Sequence, residues 1–335
     1  MADGPRFLLV RLDGLGDALA CVPVLEGLRQ AYPGAGFGAV CSPANAQAFS
    51  PRVTVHVFGG GTSVAALGSE LRRAAYTHAL VATEEVAGYE LARASGASRR
   101  SGFWHRLEKP FKSLWQFVRL TDRVYRPAAW TSRPEHEVET LYRLALPFGA
   151  QQPAPRDIIA LRSWLAGCAT SATRTGALGF QVAAKLTVDG WGPAALAQLC
   201  GATLKASGLH DLTLLAAPRD QGLASALMEH LESDVRACAH LSPPAGVPQW
   251  LRAIDSLAAL VTPDTGAAHA AGMLGVPVID LFLQTRFDQL SRQWRPWAAP
   301  ARCIVKPLLG PGVPQRLGEQ LGAQIIELRA LDVRP

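Results

Sequence analysis

Between Phe7 and Tyr32 the chain reads FLLVRLDGLGDALACVPVLEGLRQAY, so an apolar run, a glycine-punctuated turn and an amphipathic stretch follow one another without a spare residue. Phe7 to Leu12 has the length and apolar character of a strand buried on both faces, which points to a parallel sheet. Asp13-Gly14-Leu15-Gly16-Asp17 is the turn. From Ala18 the apolar residues Leu19, Val22, Leu25 and Leu28 recur at helical spacing while Glu26, Arg29 and Gln30 take the other face. Asp17 is therefore expected at or next to the helix N-cap, a carboxylate delivered to the carboxyl end of the first strand, where open α/β sheets place their ligands. Gly14 and Gly16 leave the backbone bare around it, as a ligand's close approach requires. Asp17 reads either as a simple cap or as a functional carboxylate. The spacing is not GxGxxG, because the third residue after Gly16 is Leu19, so a dinucleotide fingerprint is not supported.

The chain has 335 residues, 49% of them hydrophobic, enough for a large core and for two domains. No charge-free apolar run reaches the roughly 18 residues of a membrane span, and the opening MADGPRF has no signal-peptide character, so a cytoplasmic location is expected. Six scattered cysteines and eight dispersed histidines show no CxxC, no HExxH and no zinc-type spacing. No metal site is expected. The net charge of +6 favours an anionic partner, which composition alone leaves open among nucleic acid, a phosphorylated glycan and a membrane surface.

Along the first half, strands are expected at 36–41, 53–58 and 78–83, with helices around 44–49 and 67–75, the rhythm of βαβ units in a doubly wound sheet. Residues 98–133 differ in kind. Arg99, Arg100, Arg106, Lys109, Lys112, Arg119, Arg123, Arg126 and Arg133 face only Glu108 and Asp122, with Phe103, Trp104, Phe111, Trp115, Phe117 and Tyr125 interleaved. This segment reads as a solvated basic face over aromatic core residues, or as a surface for phosphate or carboxylate groups and lipid headgroups. Nucleic acid uses the same ingredients but has a recognisable motif nowhere in the chain, so it ranks last. Helical spacing returns at 136–150, where His136 reads as a structural helix-start residue. The Pro-, Ala- and Thr-rich stretch 151–176 marks the domain boundary. Beyond it, strands are expected at 176–184, 212–217, 258–263, 278–282 and 303–307, helices near 193–207, 220–232 and 247–254, and a closing helix at 314–331.

The phrase RLDGLGDALACVPVLEGLRQAYPGA resembles the opening of glycosyltransferase family 9, the ADP-heptose:lipopolysaccharide heptosyltransferases. A second stretch, Val261-Thr262-Pro263-Asp264-Thr265-Gly266-Ala267-Ala268-His269 running to Gly275-Val276-Pro277-Val278, resembles that family's second glycine turn. ArgSerGlyPhe at 100–103 is similar to one of its strand ends, HEVETLYRLALPFGA at 136–150 to one of its helices, and Ala184-Lys185-Leu186 with Trp191-Gly192-Pro193 to its lysine phrase. The resemblance implies an α/β protein of GT-B architecture, two Rossmann-like doubly wound domains facing a central cleft that closes on the donor. An acceptor-binding domain is expected over 1–170 and a donor-binding domain over 176–335.

The resemblance also implies roles. Asp17 would be the general base for an acceptor hydroxyl, with Gly16, Arg99, Arg100 and Arg106 on the acceptor side. At the second turn a strand gives way at Asp264 to a helix opened by Thr265 and Gly266, whose free N–H groups and dipole suit a diphosphate. Asp264 would take sugar hydroxyls, Thr265 and Gly266 phosphate, and His269 would face the same pocket. Lys185 would neutralise the leaving diphosphate. A ribose-binding glutamate phrase appears as Ala216-Ala217-Pro218-Arg219-Asp220, putting Asp220 in its place. The implied activity is transfer of a heptose-like sugar from a nucleotide sugar, ADP-heptose first, to an anionic glycolipid such as a lipopolysaccharide core at the inner membrane face. No tightly bound cofactor is implied. A GT-B sugar-nucleotide epimerase and a non-catalytic glycan- or nucleotide-sugar-binding relative are the alternatives.

Overall fold

A computed structural model describes residues 4–127, 134–243 and 246–332. Arg133, counted above in the basic segment, lies outside the described residues. The chain divides into two compact units, Met1–Ala166 and Gly167–Pro335.

In the first unit six strands, β1 (Arg6–Arg11), β2 (Gly36–Cys41), β3 (Val53–Val57), β4 (His78–Val81), β5 (Arg99–Trp104) and β6 (Asp122–Tyr125), form one sheet in the order β3-β2-β1-β4-β5-β6. Every neighbouring pair is parallel. β1 is central, and Phe7, Leu8, Leu9 and Val10 are fully buried because helices cover both faces. These helices are α1 (Leu15–Leu19), α2 (Val22–Ala31), α3 (Val64–Arg73), α4 (Val86–Ala94), α5 (Pro110–Phe117), α6 (Glu137–Tyr142) and α7 (Ile158–Arg162). The strand order reverses between β1 and β4, the topological switch point at which such sheets bind ligands.

The second unit repeats the plan with β7 (Leu178–Val182), β8 (Leu212–Ala216), β9 (Ala239–Leu241), β10 (Ala259–Pro263), β11 (Val278–Leu283) and β12 (Ala301–Lys306), ordered β12-β11-β10-β7-β8-β9 and again parallel. Its switch point lies between β7 and β10. The helices are α8 (Pro193–Ser207), α9 (Gln221–Glu229), α10 (Ser233–Ala237), α11 (Val247–Asp255), α12 (Gly266–Leu274), α13 (Phe287–Trp294) and α14 (Val313–Ala330). Leu317, Leu321, Ile325 and Leu328 of α14 complete the core over Leu196, Leu199 and Cys200 of α8. The two helices meet at unusually close range. A β-carbon added to Gly318 would stand 2.5 Å from that of Ala202, and one on Gly322 2.4 Å from that of Ala206.

The expected strands are present, but several helices differ from expectation. Residues 44–49 form turns rather than a helix. The first helix begins at Leu15, not Ala18, and breaks before α2, which carries Pro23 in its first turn. The stretch 136–150 is a short helix followed by a 3₁₀ turn at Leu146–Phe148. Among the described residues no helix is long and apolar enough to cross a membrane.

Candidate active site

At the carboxyl end of β1 the chain leaves the sheet through Leu12, Asp13 and Gly14 into α1. Gly14 is the N-cap, and Asp17, expected from sequence at or next to the cap, occupies the third helical position. Its Oδ2 accepts from the Gly14 N–H at 3.1 Å, so the carboxylate caps the helix backwards. Its Oδ1 pairs with Arg11 Nη2 at 2.6 Å. Arg11 is 6% exposed and its other branches reach Asp13 Oδ2, 3.0 Å from Nε, and the backbone carbonyl of Ala82 just past β4. One guanidinium thus spans the switch point and fixes Asp17 on its far side. Burial opposes the charge of Arg11, but the groups around it, Cys21 first and then Asp17 and Asp13, leave its pKa raised overall.

Asn45, fully buried, donates to the carbonyls of Arg11 at 3.1 Å and Asp13 at 2.9 Å, and Ser42 Oγ donates to Asp13 O at 3.0 Å. These bonds satisfy carbonyls that the sheet leaves open and hold the turn still. Asp17 itself keeps 29% of its side chain exposed. The second unit's counterpart uses lysine. Lys185, two residues past β7's following Ala183, donates from Nζ to Asp264 Oδ2 at 2.6 Å and to Asp264 O at 2.7 Å. Asp264 directly follows β10, so this pair also bridges a switch point. Thr265 is the N-cap of α12, its Oγ1 accepting from the Ala267 N–H at 3.3 Å, and Thr262 Oγ1 stands 3.1 Å away. Asp264, Thr265 and Gly266 are partly exposed at the start of the helix, where its unpaired N–H groups and dipole favour an anion.

The segment carrying Lys185 is anchored from outside. Asp220 is buried and its Oδ1 accepts from the Ala184 N–H at 3.2 Å. Lys306, 1% exposed at the end of β12, donates to Val188 O at 2.7 Å and lies 5.1 Å from the centre of the Trp191 ring. The Trp191 indole N–H donates to Pro307 O at 2.8 Å, and Leu309 N–H to Asp189 O at 3.1 Å. Burial lowers the Lys306 pKa, against the attraction of Asp189. Beneath the pair, Asp280 in β11 stands in register with Thr262 and is fully buried, with neither oxygen hydrogen-bonded among the described residues. Burial first, then the nearby Asp264 charge, raises its pKa well above the ordinary 3.8.

A basic cluster collects at the carboxyl ends of β4 and β5. Glu84 receives Lys112 at 2.7 Å, Lys109 at 3.4 Å, His105 at 3.6 Å and Arg126 at 3.8 Å. The His105 contact and the two ammonium groups hold Glu84 well below the usual carboxylate range, against a partial desolvation that acts the other way. Arg126 also pairs with Glu137 at 3.1 Å.

The remaining sequence expectations separate. Gly16 lies beside Asp17 in α1. Arg106 follows β5 and so sits at the same edge of the sheet as Asp17 and Glu84. Arg99 and Arg100 do not: they open β5, a parallel strand, and so lie at the sheet's opposite edge, a strand length of roughly 17–20 Å away. Arg99 holds Asp122 at 2.6 Å and Pro147 O at 2.9 Å, and Arg100 holds Arg119 O and Ala97 O at 2.7 and 2.6 Å. They are fold-holding residues. His136 is the N-cap of α6, its Nδ1 accepting from the Val138 N–H. His269 is buried, with its ring edge-on to Trp294 at 5.5 Å, a packing position. Sequence reasoning missed Arg11, Asn45, Asp280 and Lys306. A buried arginine in an apolar strand and an acid in VPVIDLF were the visible signals.

The glycosyltransferase family 9 (heptosyltransferase) family model matches residues 64–311, which takes in Lys185 and the Asp264 turn and begins after Asp17. No curated relative matches the chain in sequence. Among solved structures, the chain is similar to E. coli heptosyltransferase WaaC with ADP, at 20% identity and TM-score 0.72, over 97% of this chain and 99% of that one. It is similar to E. coli ADP-heptose lps heptosyltransferase II, at 19% identity and TM-score 0.71, over 96% and 99%. A family 9 glycosyl transferase from Veillonella parvula gives 16% identity and TM-score 0.68, over 98% and 96%. The two doubly wound sheets are those of a GT-B protein, and the chain belongs to glycosyltransferase family 9, the heptosyltransferases, as a glycosyltransferase.

Proposed function

We propose that this glycosyltransferase moves a heptose-like sugar from a nucleotide diphosphate, ADP-heptose by first choice, to a hydroxyl of a lipopolysaccharide core or similar anionic glycolipid at the inner face of the cytoplasmic membrane. The observation that carries the reading is Lys185 held at the mouth of the Thr265-capped helix α12 by Asp264. An ammonium and a helix N-terminus together neutralise a diphosphate without geometric demands on it. Support for the adenine nucleotide comes from WaaC of E. coli, solved with ADP and with ADP-2-deoxy-2-fluoro heptose.

In this reading the second unit binds donor and the first binds acceptor. Asp17 takes the proton from the acceptor hydroxyl as its oxygen bonds to the anomeric carbon, and the bond from that carbon to the diphosphate breaks. The charge left on the diphosphate is met by Lys185 and the N–H groups at Thr265 and Gly266. Asp264 orients Lys185 and the sugar hydroxyls. Asp220 acts through the backbone at Ala184, and the excess of cations around Glu84, with Arg106, receives the anionic groups of the acceptor. Arg11 is a positioning residue for Asp17. Among the described residues no group of three His, Cys, Asp or Glu side chains is placed to hold a metal ion.

Calorimetry with ADP-heptose, ADP, UDP-sugars and GDP-sugars tests the donor half. Selective binding of the ADP compounds, weakened in Lys185→Ala, is the expected result. Binding of no nucleotide sugar would refute transfer and favour a non-catalytic relative.

A further inference from the structure

Helix α5 turns only one large apolar residue, Trp115, toward the core; its buried residues Ser113 and Gln116 are polar, and Gln116 donates to the Tyr89 hydroxyl at 2.9 Å. Its outward residues are apolar. Leu107 just before it and Phe111 are each 90% exposed, Leu114 is 69%, Val118 67% and Phe117 47% exposed. Within α5 and its C-cap Val118, positions 111, 114 and 118 recur at three and four residues, one stripe along one side, and Leu107 lies exposed in the turn before it. A surface stripe of this kind on a folded domain marks an interaction site, since water is a poor neighbour for it.

The charges beside the stripe identify its partner. Residues 106–126 carry six Lys and Arg against Glu108 and Asp122, four of them paired with Glu84, Glu90 or Glu137. Two of the cations are stacked on rings rather than seated on carboxylates: Arg123 over Phe117 at 3.7 Å, and Arg106 over Tyr125 at 4.5 Å. Lys109 and Lys112 flank the inner edge at Glu84. A second copy of the chain is a poor occupant, because a two-fold contact would bring two arginine-flanked stripes together and concentrate like charge in one interface. A bilayer with anionic headgroups meets both features at once: acyl chains accept Phe111 and Leu114 while phosphates accept the arginines.

We propose that α5 with Leu107 is a membrane-docking helix that lies in the headgroup region of an anionic bilayer, Phe111 and Leu114 inserted and Arg106 and Arg123 on lipid phosphates. This takes from the proposed function only that the acceptor is held in a membrane. Because the Glu84 cluster sits on the neighbouring inner edge of the same helix, docking presents that cluster to headgroups and not to bulk water.

The test is co-sedimentation of the full chain with phosphatidylcholine vesicles and with vesicles of phosphatidylcholine and phosphatidylglycerol in equal parts. The expected result is binding to the anionic vesicles, weakened at least about tenfold in Phe111→Ser/Leu114→Ser and lowered as well in Arg106→Gln/Arg123→Gln. An unchanged thermal midpoint shows that the exposed substitutions leave the fold intact. No binding by wild type, or equal binding by the apolar variant, overturns the proposal. So does a concentration-dependent dimer that the apolar variant abolishes, which would assign the stripe to a second copy. ADP-heptose calorimetry on the same samples separates the two readings: donor binding without vesicle binding removes the docking helix alone, and vesicle binding without donor binding removes the transferase scheme alone.

Discussion

Arg11 Nη2 and Asp17 Oδ1 are 2.6 Å apart, the first at the end of the central strand and the second one helical turn into α1. The pair makes Asp17 a carboxylate of fixed orientation, with its second oxygen on the Gly14 N–H. Replacing it by Asn keeps the shape and removes the base that the proposed scheme assigns to it. Asp17→Asn is expected to lower kcat by about 10²- to 10⁴-fold while ADP-heptose affinity, which the proposed scheme assigns to the other unit, stays within a factor of about two. Turnover measured beside calorimetry decides this, and a variant with undiminished kcat would remove Asp17 from the chemistry.

Lys185 and Asp264 are coupled, so their variants should not behave additively. Lys185→Ala is expected to weaken ADP binding by roughly ten- to a hundredfold, the range of one charge-assisted hydrogen bond of about 1.5–3 kcal/mol. Asp264→Ala frees the ammonium for phosphate, so bare ADP should bind as well as to wild type or better while the sugar nucleotide turns over more slowly. Equal losses of ADP affinity in both single variants and in the double variant would show that Asp264 is needed for the nucleotide itself.

Lys306 makes no direct claim on a ligand, yet its bond to Val188 O holds the segment that carries Lys185. Lys306→Met retains the stem's contact with Trp191 and leaves that carbonyl without its donor. We expect a loss of about 1–3 kcal/mol in unfolding free energy and a rise in donor KM larger than the fall in kcat. Urea unfolding with steady-state kinetics measures both; a stability loss with KM unchanged would confine Lys306 to packing.

Asp280 ties stability to pH. Its folded pKa is raised, so between the ordinary value of 3.8 and that higher value the folded chain keeps a proton that the unfolded chain releases. The unfolded state then binds fewer protons, and stability falls as pH rises above 3.8, at most by about 1.4 kcal/mol per unit. Asp280→Asn cannot release that proton. Its advantage over wild type should be least near pH 4 and grow toward pH 8 in thermal melts, and parallel profiles for the two proteins would contradict this assignment.

Both glycine turns and the alternating strands could be read from the sequence because their signals are local: a short apolar run, then glycine, then helical spacing. What escaped depends on direction and on distant partners. Residues 44–49 have helical composition, but Asn45 is drawn inward to the carbonyls of Arg11 and Asp13, and the backbone turns with it. A carboxylate before an apolar helix points to a position at or next to the cap, whereas Asp17 reaches back to the cap from the third position. Arg99 and Arg100 were grouped with Arg106 by composition, yet strand direction puts them at opposite edges of the sheet. In the basic segment, Phe103 is buried and Trp115 packs against the core, whereas Phe111 and Phe117 face outward. Periodicity marks a face without saying which way it points.

The near-contact of Gly318 and Gly322 with Ala202 and Ala206 has a consequence for biosynthesis. Among the described helices, α14 is the last to leave the ribosome, and its partner α8 waits for it with Leu196, Leu199 and Cys200 uncovered. The first unit draws its sheet and core from its own earlier residues and can finish while the rest is still being made. A chain halted before residue 313 would carry one completed half joined to another with an open apolar furrow. Such a chain exposes apolar surface that the finished one buries, which makes it the more prone to aggregate.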